Sequence, residues 1–357
     1  SFALFESAEQ PGQFLHEGEL MRNPDAAGAL EALLLEGPGL FYQGEWANQL
    51  VNDCKESGGL IRHEDLSSYR VERREPVVFR YRGARCAINP PPSPGGCLVA
   101  FALAVMEDWA AAEKQWGSPE HVLNLLRGMR AASLARHDFS MEAGLDQQMM
   151  QRLLDAKTIR EWQKSLQLNS LFSRGTTHIS VADAKGNIAS LTASNGEGCS
   201  YVLPGKGFML NNMLGEEDLN FGGFHRWKEN TRLASMMSPA VLEMADETRF
   251  ALGSGGSNRI RSAISQVLIN LLDLGMTLEE AVAAPRIHLE RDMLSIEPGY
   301  DDSVLQLLRE TAPRTHLWPE KNLFFGGVHS VSVTPSGEFH GVGDPRRGGE
   351  VAFARGS

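Results

Sequence analysis

Apolar and polar residues alternate with a period of two from Thr176 to Ala182, placing Ile179 and Val181 on one face. The alternation resumes from Ile188 to Ser194 after the turn-forming stretch Asp183-Ala184-Lys185-Gly186-Asn187. Two such runs around a short polar turn predict a β-hairpin. Val77–Tyr81 and Ala84–Ile88 are strand-like and are joined by Arg82-Gly83. Phe250-Ala251-Leu252 reads as a buried strand, and His329–Val333 with Gly337–Val342 as a terminal hairpin around Pro335-Ser336-Gly337.

Helical spacing takes over elsewhere. Asn23-Pro24-Asp25 opens an amphipathic stretch over Ala26–Leu35 that Gly37-Pro38-Gly39 closes, and Trp46–Lys55 follows. Helices are also predicted over Cys97–Trp109, over His121–Gln167, over Arg259–Leu274 and over Ser303–Thr311. Thr277-Leu278-Glu279-Glu280 is a capping box opening a short helix that Pro285 ends. The prolines of Pro90-Pro91-Pro92-Ser93-Pro94-Gly95-Gly96 exclude a central strand, so this stretch reads as a rigid connector. Strands in two clusters, with helices between and after them, imply sheets packed with helical layers rather than a parallel βα series.

Composition narrows the classes. With 357 residues, 42% hydrophobic and 22% charged, the chain suits a globular protein with a large core or two domains. A net charge of −11 without a dense Lys/Arg run argues against a nucleic-acid surface. Cys54, Cys86, Cys97 and Cys199 are scattered without metal-type spacing, so free thiols are expected and neither a disulfide framework nor a metal site is indicated. The longest apolar run, Cys97–Met106, is too short to span a bilayer. Ser1-Phe2-Ala3-Leu4-Phe5 runs straight into Glu6 and does not read as a leader. The chain opens on Ser, so removal of an upstream segment is expected; the compartment, periplasmic, secreted or cytoplasmic, stays open.

Three stretches carry candidate chemistry. If the Gly175–Thr176 bond were cut, Thr176 would become a terminus with both a hydroxyl nucleophile and an α-amine of reference pKa near 8, able to act as its own base. Ser194-Asn195-Gly196-Glu197-Gly198 is a polar, glycine-rich turn at a strand end, a common place for ligand contacts. Gly253-Ser254-Gly255-Gly256-Ser257-Asn258 lies between a strand and a helix, where backbone N–H groups can face an anion. A dinucleotide fingerprint would need a third glycine at Asn258, whereas an oxyanion nest does not. Asn211-Asn212 and Glu216-Glu217-Asp218, read alone, are a turn and a solvated acidic loop.

Together these pieces resemble γ-glutamyltranspeptidases. The resemblance rests on Thr176-Thr177-His178-Ile179-Ser180-Val181, Gly186-Asn187, Leu210-Asn211-Asn212, Ser235-Met236, the glycine nest and Asp344-Pro345-Arg346, in that order. Gly58-Gly59-Leu60-Ile61, Glu64-Asp65-Leu66 and Pro90-Pro91-Pro92-Ser93 with Gly95-Gly96 extend it to nearly the whole chain. It implies an α+β, N-terminal-nucleophile hydrolase fold, an αββα four-layer sandwich. Residues 1–175 would be the C-terminal, mostly helical part of a large-subunit region, lacking that subunit's N-terminal part and its substrate-clamping arginine. Residues 176–357 would be the small subunit, and the two would form one domain.

The resemblance further implies self-cleavage at Gly175–Thr176 into a large/small heterodimer, with further oligomerisation left open. Thr176 would then form an acyl-enzyme with a γ-glutamyl donor such as glutathione, resolved by water or an amine. Ser194 would activate the nucleophile, and Gly255 and Gly256 would supply oxyanion N–H groups. Asn195 would contact the substrate α-amino group, Ser235 its α-carboxylate, and one of Glu216, Glu217 or Asp218 its ammonium. His178 is read as packing. No metal, organic cofactor, nucleic-acid partner or membrane is implied. Ala234 replaces the first serine of a pair and Met213 a polar residue, so a related acylase with another substrate is one alternative. An uncleaved, catalytically silent precursor or fragment is the other.

Overall fold

The computed structural model describes residues 4–108, 115–139, 141, 145–163, 176–216, 219–220, 223–290, 292–312 and 314–354. The chain divides into two compact units, Ser1–Arg74 with Glu197–Asn212, and Glu75–Gly196 with Met213–Ser357.

The first unit holds helices α1 (Pro24–Glu36), α2 (Gly39–Tyr42), α3 (Glu45–Glu56) and α4 (His63–Ser67). The Asn23 side chain accepts from Ala26 N, and Pro24 occupies the first turn, where its missing N–H costs nothing. Asn23 also donates to the Gly207 carbonyl at 2.6 Å, tying the 197–212 segment to α1. Ala29, Trp46, Leu50 and Leu203 form a small core.

The second unit begins with strands β1 (Val77–Tyr81) and β2 (Ala84–Ile88), then helices α5 (Pro94–Met106), α6 (Pro119–Asp138), α7 (Gln147–Leu153) and α8 (Ala156–Trp162). The hairpin is β3 (Thr177–Ala182) and β4 (Ile188–Ala193), followed by β5 (Ala240–Glu243) and β6 (Arg249–Gly255). Helices α9 (Arg259–Leu272) and α10 (Leu278–Ala283) precede β7 (Ile287–Glu290) and β8 (Met293–Ile296). The chain ends with α11 (Asp302–Thr311), β9 (Arg314–Leu317), β10 (Gly327–Val333) and β11 (Phe339–Val342).

Three of these outcomes correct the reading of the sequence. The helical pattern of 121–167 is broken into α6, α7 and α8, because Asp146 and Asp155 each restart a helix by accepting a first-turn N–H. Residues 164–167 and Trp109 lie outside the described residues. Pro94-Gly95-Gly96 is the first turn of α5 rather than connector, since proline at the first helical position fits the helical φ. Gly253-Ser254-Gly255 continues β6, held by antiparallel pairing of Gly255 with Gly327. Strands β5, β7, β8 and β9 went unread because four residues are too few for a period to show.

An antiparallel six-stranded sheet has the order β1-β2-β5-β6-β10-β11. One face, carrying Val77, Cys86, Leu242, Leu252 and Val328, joins α5, α6 and α9 in the main core. Helix α5 is apolar nearly all round and is buried as such an element must be. The β3–β4 hairpin packs on the other face, over Gly253 and Gly255. This stacking inverts the simplest reading of the alternation: His178 points inward at 4% exposure, whereas Ile179, Val181 and Leu191 are 53%, 52% and 57% exposed. The sheet beneath offers bare glycine backbone and carbonyls instead of an apolar surface. Ser180 Oγ accordingly donates to the His329 carbonyl at 3.2 Å, and Ser190 Oγ to that of Leu252 at 2.9 Å.

Candidate active site

The hairpin register makes the first contact. Thr177 pairs with Ala193, so the residues just beyond them, Thr176 and Ser194, meet at the open end of the ladder. Thr176 Oγ1 lies 3.3 Å from Ser194 Oγ, to which it donates, and Ser194 Oγ also accepts from Gly196 N at 3.1 Å. That second bond fixes the Ser194 rotor, and through it the direction of the Thr176 hydroxyl. Gly175 lies outside the described residues.

The glycine pair is next. A Cβ on Gly255 would sit 1.9 Å from the Thr176 carbonyl oxygen, so only glycine lets β6 pass this close to the start of β3. Gly256 has φ +125, a conformation that side chains resist, and is buried against Gly326. Gly255 thus stands beside the Thr176 backbone, and Gly256 follows it in the chain. The Arg347 guanidinium flanks both glycines, 3.4–3.5 Å from where their Cβ atoms would be. Burial lowers the Arg347 pKa, opposed by nearby Asp344.

A cavity beside Thr176 brings two of the remaining candidates, Ser235 and Glu216, together. It is lined by Thr176, Ser194 and Ser235, by the buried Glu216, and by Met213, Leu219, Met236, Met237 and Ile260. Glu216 is thus the described member of the acidic run that lines the cavity, while Glu217 and Asp218 lie outside the described residues. Asn195 is exposed in the turn after Ser194 and is not among the described residues lining the cavity. The methionines were missed in sequence, where only Met213 stood out, and there as a lost polar contact rather than an apolar wall.

Asp344-Pro345-Arg346 acts from beneath. Burial alone would raise the Asp344 pKa, but the Arg286 and Arg346 guanidinium groups hold it below the ordinary carboxylate range. Asp344 receives Arg286 at 2.7 Å and Val328 N at 2.9 Å, and Arg346 grips Glu297 at 2.8 and 2.6 Å. Arg286 also donates to the Phe325 and Gly326 carbonyls. The network fixes residues 325–328, against which Gly255 and Gly256 are held.

His178 is structural. Its ring covers Gly253 and contacts Thr192 Oγ1 at 2.7 Å and Ser180 Oγ at 2.9 Å. Burial, with His329 as a lesser cause, lowers its pKa to about 4. Burial likewise lowers that of His121 to about 4. Unfolded imidazoles titrate near 6.5, so between that pH and about 4 the unfolded chain binds more protons than the native one. Stability is fully present above pH 6.5 and falls as pH drops toward 4, by up to about 1.4 kcal/mol per pH unit for each histidine. Thermal melts between pH 7 and 4.5 should show this fall, and His178→Gln should flatten it; a midpoint constant across that range would contradict the assignment.

Among the described residues no cluster of His, Cys, Asp and Glu could hold a metal ion, and no helix is long and apolar enough to cross a membrane. The packed helices and sheets form an α+β, N-terminal-nucleophile hydrolase fold. The cephalosporin acylase of Bacillus halodurans shares it, with a TM-score of 0.83 at 23% identity over 100% of this chain and 66% of that one. The family model described as gamma-glutamyltranspeptidase matches residues 3–354, and the chain belongs to that family. It is 31% identical over 345 residues to the acylase ACY 1 proenzyme of Pseudomonas sp. (strain V22), covering 93% of this chain and 61% of that protein. It is 27% identical over 363 residues to the glutathione hydrolase proenzyme of Escherichia coli (strain K12), covering 94% and 62%. The chain thus spans about three-fifths of the length of these curated relatives.

Proposed function

We propose that this protein matures by cleavage at Gly175–Thr176 and then transfers or hydrolyses γ-glutamyl groups through an acyl-enzyme on Thr176. The observation that carries this reading is the convergence of the Thr176 hydroxyl with Ser194, of Gly255 with the Thr176 backbone, and of both hydroxyls with a cavity that holds Glu216 and Ser235. In maturation, Thr176 Oγ attacks the Gly175 carbonyl and the Gly175–Thr176 C–N bond breaks, which frees the Thr176 α-amine and leaves Gly175 as an ester on Oγ; water then hydrolyses that ester to the Gly175 carboxylate and the free Thr176 hydroxyl. In turnover that amine takes the hydroxyl proton as Oγ attacks the donor carbonyl, and returns a proton to the leaving amine. Water or an acceptor amine then releases the acyl group. The Gly255 and Gly256 N–H groups stabilise the oxyanion in both reactions. Glu216 binds the donor ammonium, a charged hydrogen bond contributing about 1.5–3 kcal/mol. Ser235 binds its carboxylate, and no cofactor takes part.

A second reading is a related acylase with another acyl group. The apolar wall of Met213, Met236, Met237 and Leu219, together with Ala234 in place of a serine, favours it. Assays with γ-glutamyl, glutaryl and longer acyl anilides separate the two. Turnover of γ-glutamyl anilide is the expected result, and turnover of only the others would assign the acylase. A denaturing gel tests maturation independently, because cleavage should yield two nearly equal pieces. A persistent single band would support the silent precursor instead.

A further inference from the structure

The Pro90-Pro91-Pro92-Ser93 motif ends at Ser93, the N-cap of α5. A serine there ordinarily turns its hydroxyl onto a first-turn N–H. The Ser93 hydroxyl makes no such bond. It donates instead to the Ser235 carbonyl at 2.5 Å and lies 3.2 Å from Ser235 Oγ. The first turn of α5 presses on the same segment: a Cβ on Gly95 would lie 2.5 Å from the Met236 carbonyl oxygen and 2.6 Å from Ser238 Oγ. Ser238 is itself fully buried and donates to the Met236 carbonyl at 2.8 Å. Residues 231–239 have no regular secondary structure, so side-chain bonds of this kind must supply the order a ladder would otherwise give.

We propose that Ser93 is a positioning residue of the acyl pocket, anchoring Ser235 so that its hydroxyl reads a carboxylate on the acyl donor. This rests on the acyl-transfer reading above. Proton accounting gives the device its direction. The single Ser93 proton is committed to the Ser235 carbonyl, so Ser93 Oγ can only accept from Ser235 Oγ. The Ser235 proton then has two resting places, Ser93 in the empty pocket and a carboxylate oxygen in the filled one. The rigid prolines before Ser93 and the helix after it hold the anchor still.

The test compares anilides of three acyl groups: γ-glutamyl, with amine and carboxylate; glutaryl, with carboxylate only; and 4-aminobutyryl, with amine only. Ser93→Ala should raise KM for the first two about 3- to 10-fold, the worth of one ordinary hydrogen bond, while kcat stays within about twofold. The rise should be smaller for the 4-aminobutyryl donor, and Ser93→Thr should restore the wild-type pattern. Ser93→Ala combined with Ser235→Ala should be no worse than Ser235→Ala alone, because both remove the same contact. Equal losses on all three donors, or effects that add fully in the double variant, would overturn the role of Ser93 while leaving acyl transfer intact. A wild-type protein inactive on all three donors would overturn the acyl-transfer reading itself and this role with it.

Discussion

Thr176→Ala is expected to leave a chain that neither splits at Gly175–Thr176 nor turns over any acyl anilide. Both proposed reactions use one oxygen, Thr176 Oγ1, and among the described side chains lining the cavity only Ser194, Ser235 and Ser257 carry other hydroxyls. Ser194 cannot substitute, since it follows β4 and gains no α-amine when the chain is cut. Loss of a nucleophile of this type lowers kcat by roughly 10⁴-fold or more. The substitution should barely change stability, because the hydroxyl makes one long bond of 3.3 Å at the end of a strand. The informative pair of measurements is a denaturing gel over several days and a progress curve with γ-glutamyl anilide. Residual splitting in the alanine variant would remove Thr176 from the role of nucleophile. Thr176→Ser, which keeps an oxygen at the same position, should split and turn over at a reduced rate.

Gly255→Ala is expected to be almost as damaging through backbone alone. The added methyl would fall 1.9 Å from the Thr176 carbonyl oxygen, so β6 or the start of β3 must move by more than an ångström. On the proposed mechanism either movement displaces the nucleophile from the Gly255 and Gly256 N–H groups. Loss of a single oxyanion donor costs about 2.7–4 kcal/mol in the transition state, so turnover should fall at least roughly 100-fold, and maturation should slow with it. Gly28→Ala serves as the comparison. That glycine lies within α1, where an added Cβ meets nothing within 4 Å, and its replacement should leave maturation and turnover unchanged. Full activity of Gly255→Ala would show that the glycine pair does not bear on the reacting carbonyl.

Much of this site was legible residue by residue. The alternation around Asp183–Asn187 gave the hairpin within a residue at each end, because a period of two between turn formers has few other solutions. The capping box at Thr277 and the proline-led start of α1 were equally local and equally readable. The motif order pointed to Thr176, Ser194, Gly255 and Gly256, and the structure puts Ser194 and Gly255 against Thr176. Other features gave no local signal. The inward turn of His178 and outward turn of Ile179 depend on glycines of β6 more than seventy positions away. Asn195 follows Ser194 directly, yet lies outside the cavity because the turn carries it to the surface. Ser93 read as part of a connector because its partner, Ser235, is 142 positions distant.

The sequence by itself determined the hairpin, its threonine at a strand start, the glycine run before α9 and the family to which these belong. Each is a short-range pattern whose backbone conformation follows from the residues within it. Only the tertiary structure decided that Glu216 lines the cavity, that methionines wall it, and that Ser93 and the Asp344–Arg346 network hold it from behind. Those choices arise from strand register and layer packing. These bring segments far apart in the chain to within a few ångströms, and no periodicity of a single segment encodes its partner.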